Sequence, residues 1–161
     1  MGTTTTDLDT IVTGFAVLRT ICEMEGLSYE VYDSTGHYLI VHSYDGTRYF
    51  VGTTFRYPKA ESNSYHVGKN MFDAVKATAE QMGARPAAGF VVINPTAKTA
   101  DVLIVPADEL DTTKENGDAV YFTDDGTIRY SPANKANGGR LPDTTLLFGS
   151  LSFQMQTNKL K

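Results

Sequence analysis

The stretch Tyr38 to Arg56, YLIVHSYDGTRYFVGTTFR, decides how this chain is read. Two runs rich in β-branched and aromatic residues, Tyr38 to Ser43 and Arg48 to Arg56, flank Asp45-Gly46. Asp-Gly between such runs is a strong hairpin signal, because the glycine takes the positive φ that a tight turn needs. The two runs are therefore expected to pair antiparallel, with Tyr29 to Tyr32 as a shorter strand before them. Upstream, Leu8, Ile11, Val12, Phe15, Leu18 and Cys22 recur at helical spacing, which predicts an amphipathic helix over about Asp7 to Glu25. Thr6 with Asp9 reads as its capping box and Gly26 as its left-handed stop.

Downstream, the polar segment Tyr57 to Tyr65 reads as a loop, and Phe72, Val75, Ala79 and Met82 mark a second helix from near Asn63 or Ser64 to Gly83. Phe90 to Ile93 (FVVI) is a fully apolar run and Asp101 to Val105 (DVLIV) another apolar run, on either side of Asn94-Pro95-Thr96, expected as two buried strands in a hairpin. Ala119 to Phe122 and Thr127 to Tyr130 flank Asp124-Asp125-Gly126 as a second Asp-Gly hairpin, without shared surrounding sequence. Leu147, Leu151, Phe153 and Met155 suggest a closing strand after a segment rich in Asn, Gly and Pro. The expectation is a core over 1–110 and a β-rich extension over 111–161 packed on it.

The chain has 161 residues, 41% hydrophobic and 20% charged, which suits one globular core without disulfides or structural metal. Fourteen Lys and Arg against nineteen Asp and Glu give a net charge of −5, which disfavours non-specific binding to nucleic acid or anionic membranes. The single cysteine, Cys22, and three scattered histidines offer no zinc spacing; His37 and His42 sit at the two ends of one strand and face opposite sides. No apolar run reaches membrane-spanning length and the Thr-rich start lacks signal-peptide regions, so a cytoplasmic protein without membrane partners is expected. Gly138-Gly139-Arg140 lacks phosphate-loop spacing and Gly149-Ser150 does not fit a nucleophile elbow.

The order helix, three strands, helix, two strands resembles the core of the restriction-endonuclease-like superfamily, the PD-(D/E)XK nucleases, an α/β (α+β) fold. The segment Phe90 to Leu110, FVVINPTAKTADVLIVPADEL, is similar to the later hairpin of such proteins. The family places an Asp on the second strand and Glu-x-Lys on the third, where the carboxylates hold a divalent ion and the lysine activates water. The resemblance puts Tyr38 at the Asp position, Gly52 at the Glu position and Thr54 at the Lys position. A phenol, a hydrogen and an alcohol do not replace hard anionic ligands. In this register Gly52→Glu with Thr54→Lys is expected to stay folded and gain metal affinity.

Relocated groups are the alternative. Glu23 and Glu25 end the first helix, where carboxylates are electrostatically unfavourable; with Asp45 they would be the ligands of a Mg2+-dependent DNA nuclease whose base is Lys59 or Lys69. The same glutamates also suit a solvated helix face, and Asp45 suits its turn. Arg48, Arg56, Lys59 and Lys69 could gather with Tyr49, Phe55 and Tyr57 into a surface that stacks bases and contacts phosphates, with Tyr65, His66 and Lys69 at a helix start meeting an anion. Cross-strand packing is the other role open to these tyrosines. The resemblance thus implies a non-catalytic module, without a cofactor, that recognises a protein or nucleic-acid partner. An inhibitor or accessory factor in a DNA-defence or mobile-element setting fits that role. A structural subunit, pairing exposed strand edges into a homodimer, is the third reading.

Overall fold

A computed structural model describes residues 15–32, 37–56, 65–94, 98–110 and 118–152. In chain order the elements are α1 (residues 15–24 of a helix), β1 (Ser28–Val31), β2 (Tyr38–His42), β3 (Arg48–Arg56), β4 (Tyr65–Val67), α2 (Lys69–Met82), β5 (Arg85–Asn94), β6 (Thr99–Pro106), β7 (Val120–Phe122), β8 (Ile128–Tyr130), α3 (Pro132–Ala136) and β9 (Leu147–Ser152). Helix, three-strand meander, crossover helix and hairpin follow in the order expected for a nuclease-like core, and the class is mixed α/β. The expected capping box at Thr6 and Asp9, the turn residues Pro95 and Thr96, and Tyr57, Lys59, Phe153 and Met155 lie outside the described residues.

Six strands form the main sheet in the order β1-β2-β3-β5-β6-β9. β1, β2 and β3 pair antiparallel, β3 pairs parallel with β5, and α2 supplies part of the crossover that a parallel pair requires. β5, β6 and β9 continue antiparallel. Residues 118–152, read as an extension, divide their strands: β9 joins the main sheet, while β7 and β8 join β4 in a second sheet of order β4-β8-β7.

Strand alternation sorts side chains onto two cores. One face carries Leu39, Val41, Val51, Val91 and Ile104, which pack under Leu18, Ile21 and Cys22 of α1. Gly26 ends that helix region at φ +76°. The other face carries Phe50, Phe90, Leu103 and Val105, covered by Phe72, Val75 and Ala79 of α2 and by Val67, Ile128 and Tyr130 of the small sheet. Each large apolar side chain buried here contributes about 1.5–3 kcal/mol relative to exposure. Rings interlock in this second layer, with Phe90 and Tyr130 centred 5.6 Å apart and Phe72 and Phe122 5.4 Å apart.

Two expectations need correction. The second helix begins at Lys69, not near Asn63 or Ser64, because Tyr65-His66-Val67 alternates buried, exposed, buried and pairs with β8 as a strand. The strand holding FVVI begins five residues early, at Arg85. Its small residues allow close approach: a Cβ on Gly89 would stand 2.7 Å from Thr53 Oγ1 on the neighbouring strand.

Candidate functional site

Tyr38 and Gly52 are direct partners across β2 and β3, and Thr54 lies two residues further along the same face. That face meets α2. A Cβ on Gly52 would stand 2.6 Å from Val75 Cγ2 and 3.3 Å from Met71 Cε, so the glycine lets the helix settle on the strand. Thr54 is buried, and the Tyr38 ring stacks on Phe50 with centroids 5.6 Å apart and planes at 10°. The triplet is a packing contact with one phenol at its margin. This also corrects the expectation that Gly52→Glu with Thr54→Lys would fold unchanged, because the space beside Gly52 is filled by α2.

The relocation candidates sit elsewhere. The Glu23 carboxylate accepts a hydrogen bond from the Tyr29 hydroxyl at 2.7 Å. Glu25 gives its carbonyl to the Tyr44 hydroxyl, which ties the β2–β3 turn to the end of α1 and brings Asp45 to that end of the sheet. The Asp45 carboxylate accepts from the Ser43 hydroxyl and from the Thr47 amide at 3.0 Å, and these bonds hold its pKa down to about 2. Lys69 donates to Asp73 at 2.6 Å at the start of α2. The far end of α2 is at Arg48, whose guanidinium donates to the Met82 carbonyl, so Lys69 and the β2–β3 turn are separated by the helix, roughly 20 Å. Among the described residues no three His, Cys, Asp or Glu side chains group as a metal site.

The basic and aromatic residues are also dispersed. Arg48 and Arg56 are the two ends of β3, about 26 Å apart at strand rise. Tyr49 is buried on the α1 face, where the Arg85 guanidinium lies 5.6 Å from its ring centre and donates to its hydroxyl at 3.4 Å. Phe55 is buried beneath His37, with ring centroids 5.4 Å apart. His42 faces outward to Glu30 at 2.6 Å. Strand alternation explains the dispersal: neighbours in sequence point to opposite layers.

His66 and Lys69 do converge, on the turn between β7 and β8. A Cβ on Gly126 would stand 3.4 Å from Lys69 Cγ. His66 is the register partner of Arg129 on β8, and together with Thr123, Asp124, Asp125 and Thr127 the two line an open, polar pocket of about 400 Å³. Arg129 is the residue that the sequence reading missed. The legible signal was a repeated pentapeptide: Ser43-Tyr-Asp-Gly-Thr47 and Thr123-Asp-Asp-Gly-Thr127 build the same turn. In both, the glycine has φ near +88°, the first residue's amide donates to the fifth residue's carbonyl, and the aspartate accepts from the first hydroxyl and the fifth amide. The hairpins therefore share more sequence than expected.

Among known proteins, no family model and no curated protein matches the chain. A solved structure that it is similar to is a Holliday junction resolvase from the archaeal hyperthermophile Archaeoglobus fulgidus, at 10% identity and a TM-score of 0.43, over 76% of this chain and 90% of that one. Among the described residues no helix is long and apolar enough to cross a membrane.

Proposed function

We propose that this chain is a non-catalytic binding module on a nuclease-like fold, acting through surface recognition of a macromolecular partner. The observation that supports the reading is the contact of Gly52 with α2: the position to which the resemblance assigns the family's Glu is a glycine with Val75 and Met71 packed against it. Net charge supports a protein partner over nucleic acid, since phosphate-driven affinity is supplied by Lys and Arg and this chain carries −5. An inhibitor or accessory factor of a DNA-processing system is the role this combination suits.

The test is a cleavage assay of the full chain on supercoiled, linear and single-stranded DNA with Mg2+ or Mn2+. No cleavage is expected. Cleavage that disappears in Glu23→Ala or Glu25→Ala would replace the proposal with a nuclease whose site has moved to the end of α1.

A further inference from the structure

We propose that the outer edge of β1 is where two copies of this chain pair, antiparallel about a two-fold axis at Glu30, so that the main sheet runs on from one copy into the other. The inference is independent of the non-catalytic reading and goes beyond it.

The backbone sets the register. The Tyr32 amide donates to the Tyr38 carbonyl at 3.4 Å, so in the β1–β2 ladder Ser28, Glu30 and Tyr32 turn their polar backbone groups toward β2. Tyr29 and Val31 turn theirs to the outer edge, where no described strand lies. With Tyr29 of each copy opposite Val31 of the other, both residues find a match, and each such pair exchanges two hydrogen bonds. With Tyr29 or Val31 on the axis instead, only one of the two residues meets its match. The Glu30 register also sets the Tyr29 ring against Val31 on the α1 face, an aromatic and β-branched pair of the kind that stabilises sheets.

The exposed apolar surface argues for a second copy as the occupant. Met24 and Tyr44 sit at the start of β1, where the Tyr44 hydroxyl donates to the Glu25 carbonyl, and Val31 and Tyr32 sit at its end. Antiparallel pairing brings the start of one strand to the end of the other, so each set covers its counterpart. Their exposed fractions, 64%, 80%, 53% and 47%, amount to about 450 Å² per copy at about 150–250 Å² for a large side chain. Two copies with their strand edges thus reach the roughly 1,000 Å² of a specific but reversible interface. The opposite edge of the sheet is guarded: the Lys135 ammonium lies 5.2 Å from the ring centre of Phe148 on β9, the other large apolar side chain exposed among the described residues. β1 has neither lysine nor proline, and its one charged side chain, Glu30, is tied back to His42 on its own sheet at 2.6 Å. Two glutamates nevertheless face each other at the axis, and like charges directly opposite weaken a pair.

The test is sedimentation equilibrium of the full chain from about 10 μM to about 1 mM, the range in which a small interface assembles. The mean mass is expected to rise toward twice that of one chain. Val31→Pro removes an outward-facing N–H and leaves the β1–β2 ladder its donors; it is expected to keep the circular dichroism of the parent and stay monomeric. Glu30→Gln removes the like charges at the axis and is expected to tighten the dimer about fivefold. A parent that is monomeric throughout overturns the proposal. So does a dimer that persists in a folded Val31→Pro, which places the interface elsewhere, or one that Glu30→Gln leaves unchanged or weakens. If Val31→Pro does not fold, the Glu30→Gln result decides. The cleavage assay is read separately, so either proposal can fail alone.

Discussion

Gly52 sits directly beneath Val75, so close that a single added carbon would stand 2.6 Å from the valine Cγ2. The contact joins the middle of β3 to α2 and fixes what this part of the sheet can be.

The first prediction concerns that contact. Gly52→Ala is expected to lower stability by about 1–3 kcal/mol, the usual cost of overpacking. Val75→Ala in the same chain should recover part of the loss, with a coupling of about 1 kcal/mol between neighbours. Gly52→Glu with Thr54→Lys adds ionisable groups to a buried layer and is expected to abolish cooperative unfolding. Urea titrations followed by circular dichroism read all of these. Additive single effects would show that the helix does not rest on Gly52.

The twin turns predict an acid-range dependence. Asp45 and Asp125 are held below the ordinary carboxylate value of 3.8, first of all by the hydroxyls of Ser43 and Thr123. A carboxyl whose pKa is lower folded than unfolded stabilises the fold above the unfolded value, and the gain is lost as pH falls through the folded one, for Asp45 from about 4 to about 2. Thermal melts across that range should fall less steeply in Asp45→Asn with Asp125→Asn than in the parent. Identical slopes would place the turn carboxylates outside the balance.

At the alkaline end the sensitive group is Tyr130. Burial pushes its phenol up to about 12, with Asp101 and Tyr65 adding to the shift. A group whose folded pKa is raised stabilises the fold fully below its unfolded value near 10, and the gain is lost as pH rises toward 12. Tyr130 is expected to ionise well above pH 10 in ultraviolet titration, and Asp101→Asn should bring it forward. Ionisation of Tyr130 near pH 10 would contradict the burial of the small sheet.

Much of this fold is legible in the sequence because its signals are local. Asp45-Gly46 and Asp125-Gly126 mark two hairpins, and the runs 90–93 and 101–105 mark strands buried on both faces. What is not legible depends on partners far along the chain. Tyr65-His66-Val67 is a strand only because Ile128 to Tyr130 lies beside it, and three residues carry too little periodicity to be separated from the helix that follows. The described β3 members of the candidate surface are dispersed for a similar reason: Arg48, Tyr49 and Arg56 are close in sequence, but alternation and strand length place them on different faces and ends. Arg129 gives no signal by itself, and its interest comes from register with His66.

The most direct test of the central proposal, that this scaffold holds no catalytic metal, is calorimetric titration of Mn2+ into the purified full chain at low ionic strength. The account predicts heats of dilution alone. A saturable one-to-one binding curve that is lost in Glu23→Ala or Glu25→Ala would contradict it, because the carboxylates at the end of α1 would then hold the ion that Gly52 leaves unbound.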